Sequence, residues 1–275
     1  MINFFRRIRQ SLLTANPPAR TSGRAARFSK YGIYAIGEIV LVVIGILIAL
    51  SINNWNESRK EKEVENRYIS SILSDLKDQN ASIDINLESE EVNFKAAGQI
   101  IRSYQENNAL ILNKTFYKLA SAVTSRKTFV ITDPTFTDLV SSGNINILKN
   151  AETKKRLINY YQDLERIEKI IQNNNTLLID QNYISVYNKV GYYFTSLEEL
   201  STDKFELNEH MIIPEYENNL EEISKKLFLE DENKLAFMNA IYLRNVVAIT
   251  NYKFLKDIQS NTQSLIEVIE KLTRD

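Results

Sequence analysis

Cysteine is absent from this chain, and histidine occurs once, as His210. The first absence excludes disulfides, thiolate nucleophiles, cysteine-based zinc sites and anchoring through a lipidated cysteine. The second leaves a histidine-based metal cluster or a Ser-His-Asp triad without its parts, so His210 reads as a loop residue. No phosphate loop and no dinucleotide-binding glycine pattern occurs. Turn punctuation is scarce too: four prolines and seven glycines in 275 residues. Beyond residue 57 only Pro134, Pro214, Gly98, Gly143 and Gly191 remain. That scarcity favours long helices over many short strands. Charge nearly cancels, at a net of −1. The part beyond the N-terminal tail is slightly acidic, which argues against nucleic acid as a partner.

What the chain does have is one long apolar run, residues 31–53, YGIYAIGEIVLVVIGILIALSIN. A helix needs about 20 such residues to cross a bilayer core. The run exceeds the ~7–15 residues of a signal-peptide apolar region, so it is expected to remain as an anchor. The tail before it carries Arg6, Arg7, Arg9, Arg20, Arg24, Arg27 and Lys30 and no acid, whereas both signs mix between Glu57 and Glu63. The positive-inside rule then places the N-terminus in the cytoplasm and the C-terminal part outside it. Tyr31, Tyr34 and Trp55 fall near the ends of the run, where amphipathic rings favour the headgroup layer. In the tail, Arg6, Arg7 and Arg9 alternate with Phe4, Phe5 and Ile8, as in a short basic helix lying on anionic lipid. The expected organisation is a basic cytoplasmic tail over residues 1–30, a transmembrane helix over 31–53 and an extracytoplasmic domain over 54–275.

Only one charge lies inside the run, Glu38. On a helix, Ala35, Glu38, Val42, Gly45 and Ala49 share one stripe roughly 100° wide. Gly45 and Ala49 form a small-x-x-x-small pair, which lets two helix backbones approach closely. A carboxylate near the centre of a span costs about 2.5–3.5 kcal/mol, so it calls for a partner. The stripe is therefore the expected contact with a second copy of the chain or with another membrane protein.

The residues around this run carry a resemblance. Phe28-Ser29-Lys30-Tyr31, then IYAIGEIVLVVIGILIAL, then Ile52-Asn53-Asn54-Trp55-Asn56-Glu57 resemble the signature of a bacterial single-span membrane family catalogued only as a domain of unknown function. A weaker likeness continues at Ser141-Ser142-Gly143-Asn144, Ile147 and Lys149-Asn150. The resemblance implies an envelope location in a double-membrane bacterium, and the orientation read from the flanking charges then puts the anchor in the inner membrane and the large domain in the periplasm. It implies no activity, substrate, cofactor or catalytic residue.

Beyond the span, periodicity predicts three long helices. The first runs from about Glu57 to Asn107, with Val64, Tyr68, Ile72, Leu76, Ile83, Leu87, Phe94, Ala97, Ile101 and Tyr104 on its apolar face. Asn53-Asn54 and Gly98 are candidate bends in it. The second starts after Asn150, carries Leu157, Tyr160, Tyr161, Leu164, Ile167 and Ile170 or Ile171, then Leu177 or Leu178, Gln181, Ile184 and Tyr187, and ends near Gly191. The third covers about Glu232 to Leu272, with Leu235, Met238, Tyr242, Val246, Ile249, Tyr252, Leu255, Ile258, Leu265, Ile269 and Leu272 as its core stripe. Shorter pieces intervene: a segment from Lys114, a strand-like TFVIT over 128–132, a helix opened by Asp133-Pro134 and closed by Gly143, and a helix from about Glu215 to Leu229. The fold class expected is mainly α, one transmembrane helix followed by an elongated antiparallel bundle of three long helices. Slips between three- and four-residue spacing favour an intramolecular bundle over a coiled coil. Acidic pairs such as Glu90-Glu91, Glu198-Glu199 and Glu221-Glu222 read as solvated helix faces, and Asn173-Asn174-Asn175 as a helix end or exposed face. The function these features favour is a non-enzymatic, membrane-anchored scaffold that binds a partner protein. The alternative is a ligand-sensing or transport-accessory bundle acting through a membrane partner.

Overall fold

The structure is a computed structural model and describes residues 24–194 and 219–273. The chain divides into two compact units, Met1–Glu61 and Lys62–Asp275. A single helix, α1 (Arg24–Asn107), passes through both, uninterrupted at Asn53-Asn54 and at Gly98.

In the first unit every residue from Ala35 to Trp55 is exposed. This stretch is long and apolar enough to cross a membrane, and none of its apolar window is buried. At its end, Asn53 Nδ2 donates to Glu57 Oε1 at 3.0 Å, and the Arg59 guanidinium lies over the Trp55 ring at 5.6 Å.

In the second unit α1 is followed by α2 (Lys114–Ala122), α3 (Pro134–Ser141), a 3₁₀ turn (Asn144–Ile147), α4 (Ala151–Asn173), a π-helical segment (Asn174–Ile184), α5 (Ser185–Val190), α6 (Asn219–Leu229) and α7 (Asp231–Leu272). Asn113 and Asn150 cap α2 and α4: their Oδ1 atoms accept from the Phe116 and Thr153 amides, both at 2.9 Å. Asp133 stands at the cap position of α3 but accepts from Thr137 Oγ1 at 2.9 Å instead of from the backbone. Gly143 closes α3 at φ 72°, the left-handed conformation that favours glycine there.

Two apolar clusters form the core. The first joins Ile72, Leu76 and Ile83 of α1 to Leu157, Leu164 and Ile167 of α4 and to Leu255, Ile258 and Leu265 of α7. The second joins Ala97 and Ile101 of α1 to Phe116 and Tyr117 of α2, Tyr187 of α5, Phe228 of α6 and Phe237 and Ile241 of α7. Side-chain pairs give the directions. Lys77, Glu90 and Gln105 of α1 meet Glu270, Arg244 and Tyr242 of α7. Arg156, Tyr160 and Asn174 meet Ser264, Thr262 and Asn251. Thus α7 runs opposite to both other long elements, while α1 and α4 run the same way. The expected antiparallel packing therefore holds for α7 against α1 and α4 and not between α1 and α4.

The physical reason is the connection between α1 and α4, which descends alongside α1. Asn93 Nδ2 donates to the Ser125 carbonyl at 3.3 Å. Gln79 Oε1 accepts from the Thr132 amide at 2.6 Å, Asp75 Oδ2 from the Thr135 amide at 3.0 Å, and Asp138 Oδ2 from the Tyr68 hydroxyl at 2.8 Å. The chain thus returns to the start of the unit before α4 begins. The TFVIT stretch is part of this descent and forms no strand; among the described residues there is none. Its backbone groups find side-chain partners on α1 and α4 in place of a ladder: the Ile131 amide donates to Glu168 Oε1 at 3.3 Å.

Candidate functional site

A polar layer separates the two apolar clusters, and it is built from residues whose positions look ordinary in sequence. Arg244 on α7 has no exposed surface. Its Nη1 donates to Glu90 Oε2 at 3.3 Å, its Nε to the Val123 carbonyl at 3.2 Å and its Nη2 to the Ser125 carbonyl at 3.0 Å. Asn251, also fully buried, donates from Nδ2 to Glu90 Oε1 at 3.0 Å and accepts from Asn174 Nδ2 at 2.8 Å. Four segments are tied together in this way: α1, the head of the descending connection, α7 and the first residue of the π-helical segment. Burial pulls the guanidinium pKa of Arg244 below its usual value, and the Glu90 carboxylate pulls it back up.

Three expectations are corrected here. Glu90 is buried rather than a solvated acid, because Arg244 and Asn251 engage both of its oxygens. Glu221 is buried as well. Asn174 is half-buried, with its amide donating to Asn251, although Asn173 is exposed at the end of α4 as expected. Asn173-Asn174-Asn175 opens the π-helical geometry, and this moves the buried face onward. After Ile171 the buried residues are Ile179, Tyr183 and Tyr187, at four-residue steps, and Leu177 and Gln181 are exposed. Helices with i→i+5 bonding are rare and concentrate at functional positions.

The register of α7 departs furthest from expectation. Its inward face is Phe237, Ile241, Arg244, Ala248, Asn251 and Leu255. Leu235, Tyr242, Val246 and Ile249, expected in the core, are exposed. The buried Arg244 and Asn251 explain the reversal, since turning them outward would strand the Glu90 carboxylate in the core.

Tyrosines line the second cluster. The Tyr183 hydroxyl donates to the Ala120 carbonyl at 2.8 Å, and the Tyr187 hydroxyl to the Tyr192 carbonyl at 2.7 Å. Burial raises both pKa values. Gly191 sits directly over the Tyr187 ring, where a Cβ would collide with it. Among the described residues no group of three or more His, Asp or Glu side chains is placed to hold a metal ion. The polar layer offers no open nucleophile or base to solvent; its chemistry is to fix which residues of the long helices stand opposite each other.

The helix-contact stripe falls in the other unit. Ala35, Glu38, Val42, Gly45 and Ala49 are all exposed on α1, and a Cβ at Gly45 would meet nothing. The basic tail residues Arg6, Arg7 and Arg9, and His210, lie outside the described residues.

Together these features define a mainly α-helical protein with, among the described residues, one helix apolar enough to cross a bilayer and a packed helical unit divided by a buried polar layer. The chain belongs to a family of unknown function, DUF6090, whose model matches residues 38–213. That match begins at Glu38 and covers α2 to α5, the connection and the π-helical segment. Neither the curated proteins nor the solved structures give a match to it.

Proposed function

We propose that this is a single-pass, non-enzymatic envelope protein in which an anchored helical bundle works by binding a partner protein. In this reading the tail is cytoplasmic, residues 31–53 span the inner membrane, and residues 54–275 are extracytoplasmic. The observation that carries it is an apolar helix whose every face from Ala35 to Trp55 is exposed, with one carboxylate, Glu38, on the same stripe as Gly45 and Ala49. A lipid-facing carboxylate is expensive, and a second helix packed on the small residues would shield it. The test is in-cell photocrosslinking from Val42, followed by mass spectrometry. A discrete adduct, to the chain itself or to another membrane protein, is the expected result. An inserted protein that gives no adduct overturns the reading.

A second reading, a ligand-sensing or transport-accessory bundle, draws on a cavity of about 310 Å³ at one end of the first cluster. Ile69, Leu148, Leu157 and Ile269 line it together with Lys62 and Glu65. Its mixed lining suits a small amphipathic molecule. Under this reading, Leu157→Trp would fill the cavity and abolish any ligand-dependent response while the Val42 adduct persists.

A further inference from the structure

We propose that the cavity at the end of the first cluster binds a single-chain amphiphile with an anionic head, a carboxylate or a phosphate. This names the ligand class for the second reading above and rests on that reading. The cavity, of about 310 Å³, is lined only by residues of the second unit. Its size is at the small end of ligand pockets, with room for one short chain. Its apolar side is Ile69 of α1, Leu148 and Leu272 of α7, backed by Ile72, Leu157 and Ile269 of the first cluster. All three long helices of that cluster therefore contribute to one wall. A wall of this kind takes an alkyl chain out of water and gives a polar molecule nothing to bond.

The polar side holds a group that the fold leaves unused. Thr153 lines the cavity and is only 4 % exposed. Its amide donates to the Asn150 cap at 2.9 Å, but its hydroxyl has no hydrogen-bond partner among the described residues. The hydroxyl of Thr262, also buried, is by contrast paired with the Tyr160 hydroxyl and the Ile258 carbonyl. Leaving a buried polar group unpaired costs about 1–3 kcal/mol. A buried hydroxyl in a cavity wall is therefore completed from inside the cavity.

The rest of the rim sets the sign of the head. Asn150 and Thr153 are the cap and the third residue of α4, so the cavity opens on the N-terminal end of a 23-residue helix. The unpaired backbone N–H groups there favour an anion. Lys62 stands on the same rim and makes no ion pair among the described residues. The single carboxylate of the lining, Glu65, is engaged: its Oε1 accepts from the Lys149 amide at 2.6 Å. An anionic head meets the Lys62 ammonium, the helix end and the Thr153 hydroxyl together. A cationic head would meet Lys62 and the helix end as repulsion.

The test uses the full-length chain in nanodiscs and a decanoate that carries a diazirine at its chain end. After irradiation, adducts are mapped by mass spectrometry. Adducts on residues 31–53 report probe dissolved in the bilayer and serve as the reference. The expected result is a second set at the cavity wall, around Ile69, Leu148 and Ile269, suppressed by unlabelled decanoate or decyl phosphate and not by decanol. Suppression by decanoate alone assigns a free carboxylate as the ligand, and suppression by decyl phosphate alone a lipid phosphate; either supports the proposal. Relative to the reference, Lys62→Glu should lower cavity labelling about 10-fold and Thr153→Val about 3–10-fold. Circular dichroism checks that each variant is folded. Equal suppression by decanol, or labelling unchanged in Lys62→Glu, overturns the anionic head and leaves the ligand-binding reading standing. Reference adducts without any at the cavity wall overturn both, and water alone then completes Thr153. Cavity labelling that appears only when residues 274–275 are deleted would mean that the chain's own end fills the site, and overturns the proposal as well.

Discussion

Arg244 is the residue on which the two apolar clusters meet, and its removal should be disproportionately harmful. Arg244→Met leaves the Glu90 carboxylate buried with one fewer partner, frees the Val123 carbonyl and leaves the Ser125 carbonyl with Asn93 alone. Breaking a buried pair from one side costs about 3–5 kcal/mol. The double variant Glu90→Leu/Arg244→Met should recover much of that loss, because no lone charge remains. Urea unfolding of the detergent-held protein, followed by circular dichroism, measures both. Two neighbouring tyrosines give a finer comparison. The Tyr160 hydroxyl pairs with Thr262 Oγ1 at 2.8 Å, whereas the buried Tyr161 hydroxyl has no hydrogen-bond partner and its ring stacks on Phe136 at 4.2 Å. Tyr160→Phe should cost about 1 kcal/mol, and Tyr161→Phe should be neutral or stabilising, since it removes an unsatisfied polar group at no loss of packing. Tyr160 also ties stability to pH. Burial raises its pKa to about 12, opposed by the Thr262 hydrogen bond. Its folded pKa exceeds its unfolded value of 10.0, so its contribution is whole below pH 10 and is lost as pH rises towards 12. In Tyr160→Phe the alkaline unfolding profile should be shallower over that window.

At the scale of elements, the first two long helices were legible in their α-helical parts and α7 in its second half, where Leu255, Ile258, Leu265 and Ile269 are buried as expected, while the π-helical segment and the first half of α7 were not. The stripes from Ile72 to Ile101 and from Leu157 to Ile171 keep ordinary helical spacing, and both are buried as periodicity predicts. After α4 the pattern fails because the backbone ceases to be α-helical at Asn174, a change of pitch that side-chain spacing read at a fixed period cannot follow. On α7 it fails because hydrophobicity is a poor guide where a charged network sits inside. Periodicity selects Leu235, Tyr242, Val246 and Ile249, while the fold turns Arg244 and Asn251 inward. The one available signal was Arg244 itself, isolated in an otherwise uncharged stretch, three residues after Ile241 and four before Ala248. The π-helical register has a direct check. Ile179→Ala should cost about 2–4 kcal/mol, as for a fully buried residue. Leu177→Ala, exposed on the same segment, should change stability by less than about 0.5 kcal/mol. Equal effects would mean that the segment keeps α-helical pitch.

At the scale of the whole molecule, the apolar run with its one carboxylate, Glu38, is exposed on every face from Ala35 to Trp55. It makes a sharp prediction because its alternatives diverge on substitution. If Glu38 only tolerates lipid, replacing it relieves a cost and nothing else changes. If it hydrogen-bonds across a helix pair, Glu38→Leu should leave insertion intact and weaken the complex by about 3–30-fold, the equivalent of ~0.6–2 kcal/mol for one interhelical hydrogen bond. Glu38→Gln should retain most of the association, since an amide can still donate and accept at that position. Gly45→Leu should lose it by a different route, by holding the two backbones apart. Co-purification of the complex in mild detergent, without crosslinking, reads all three. Loss in Glu38→Leu and in Gly45→Leu with retention in Glu38→Gln is the signature of a hydrogen-bonded helix contact; three unchanged complexes would make Glu38 a charge that the helix carries without using.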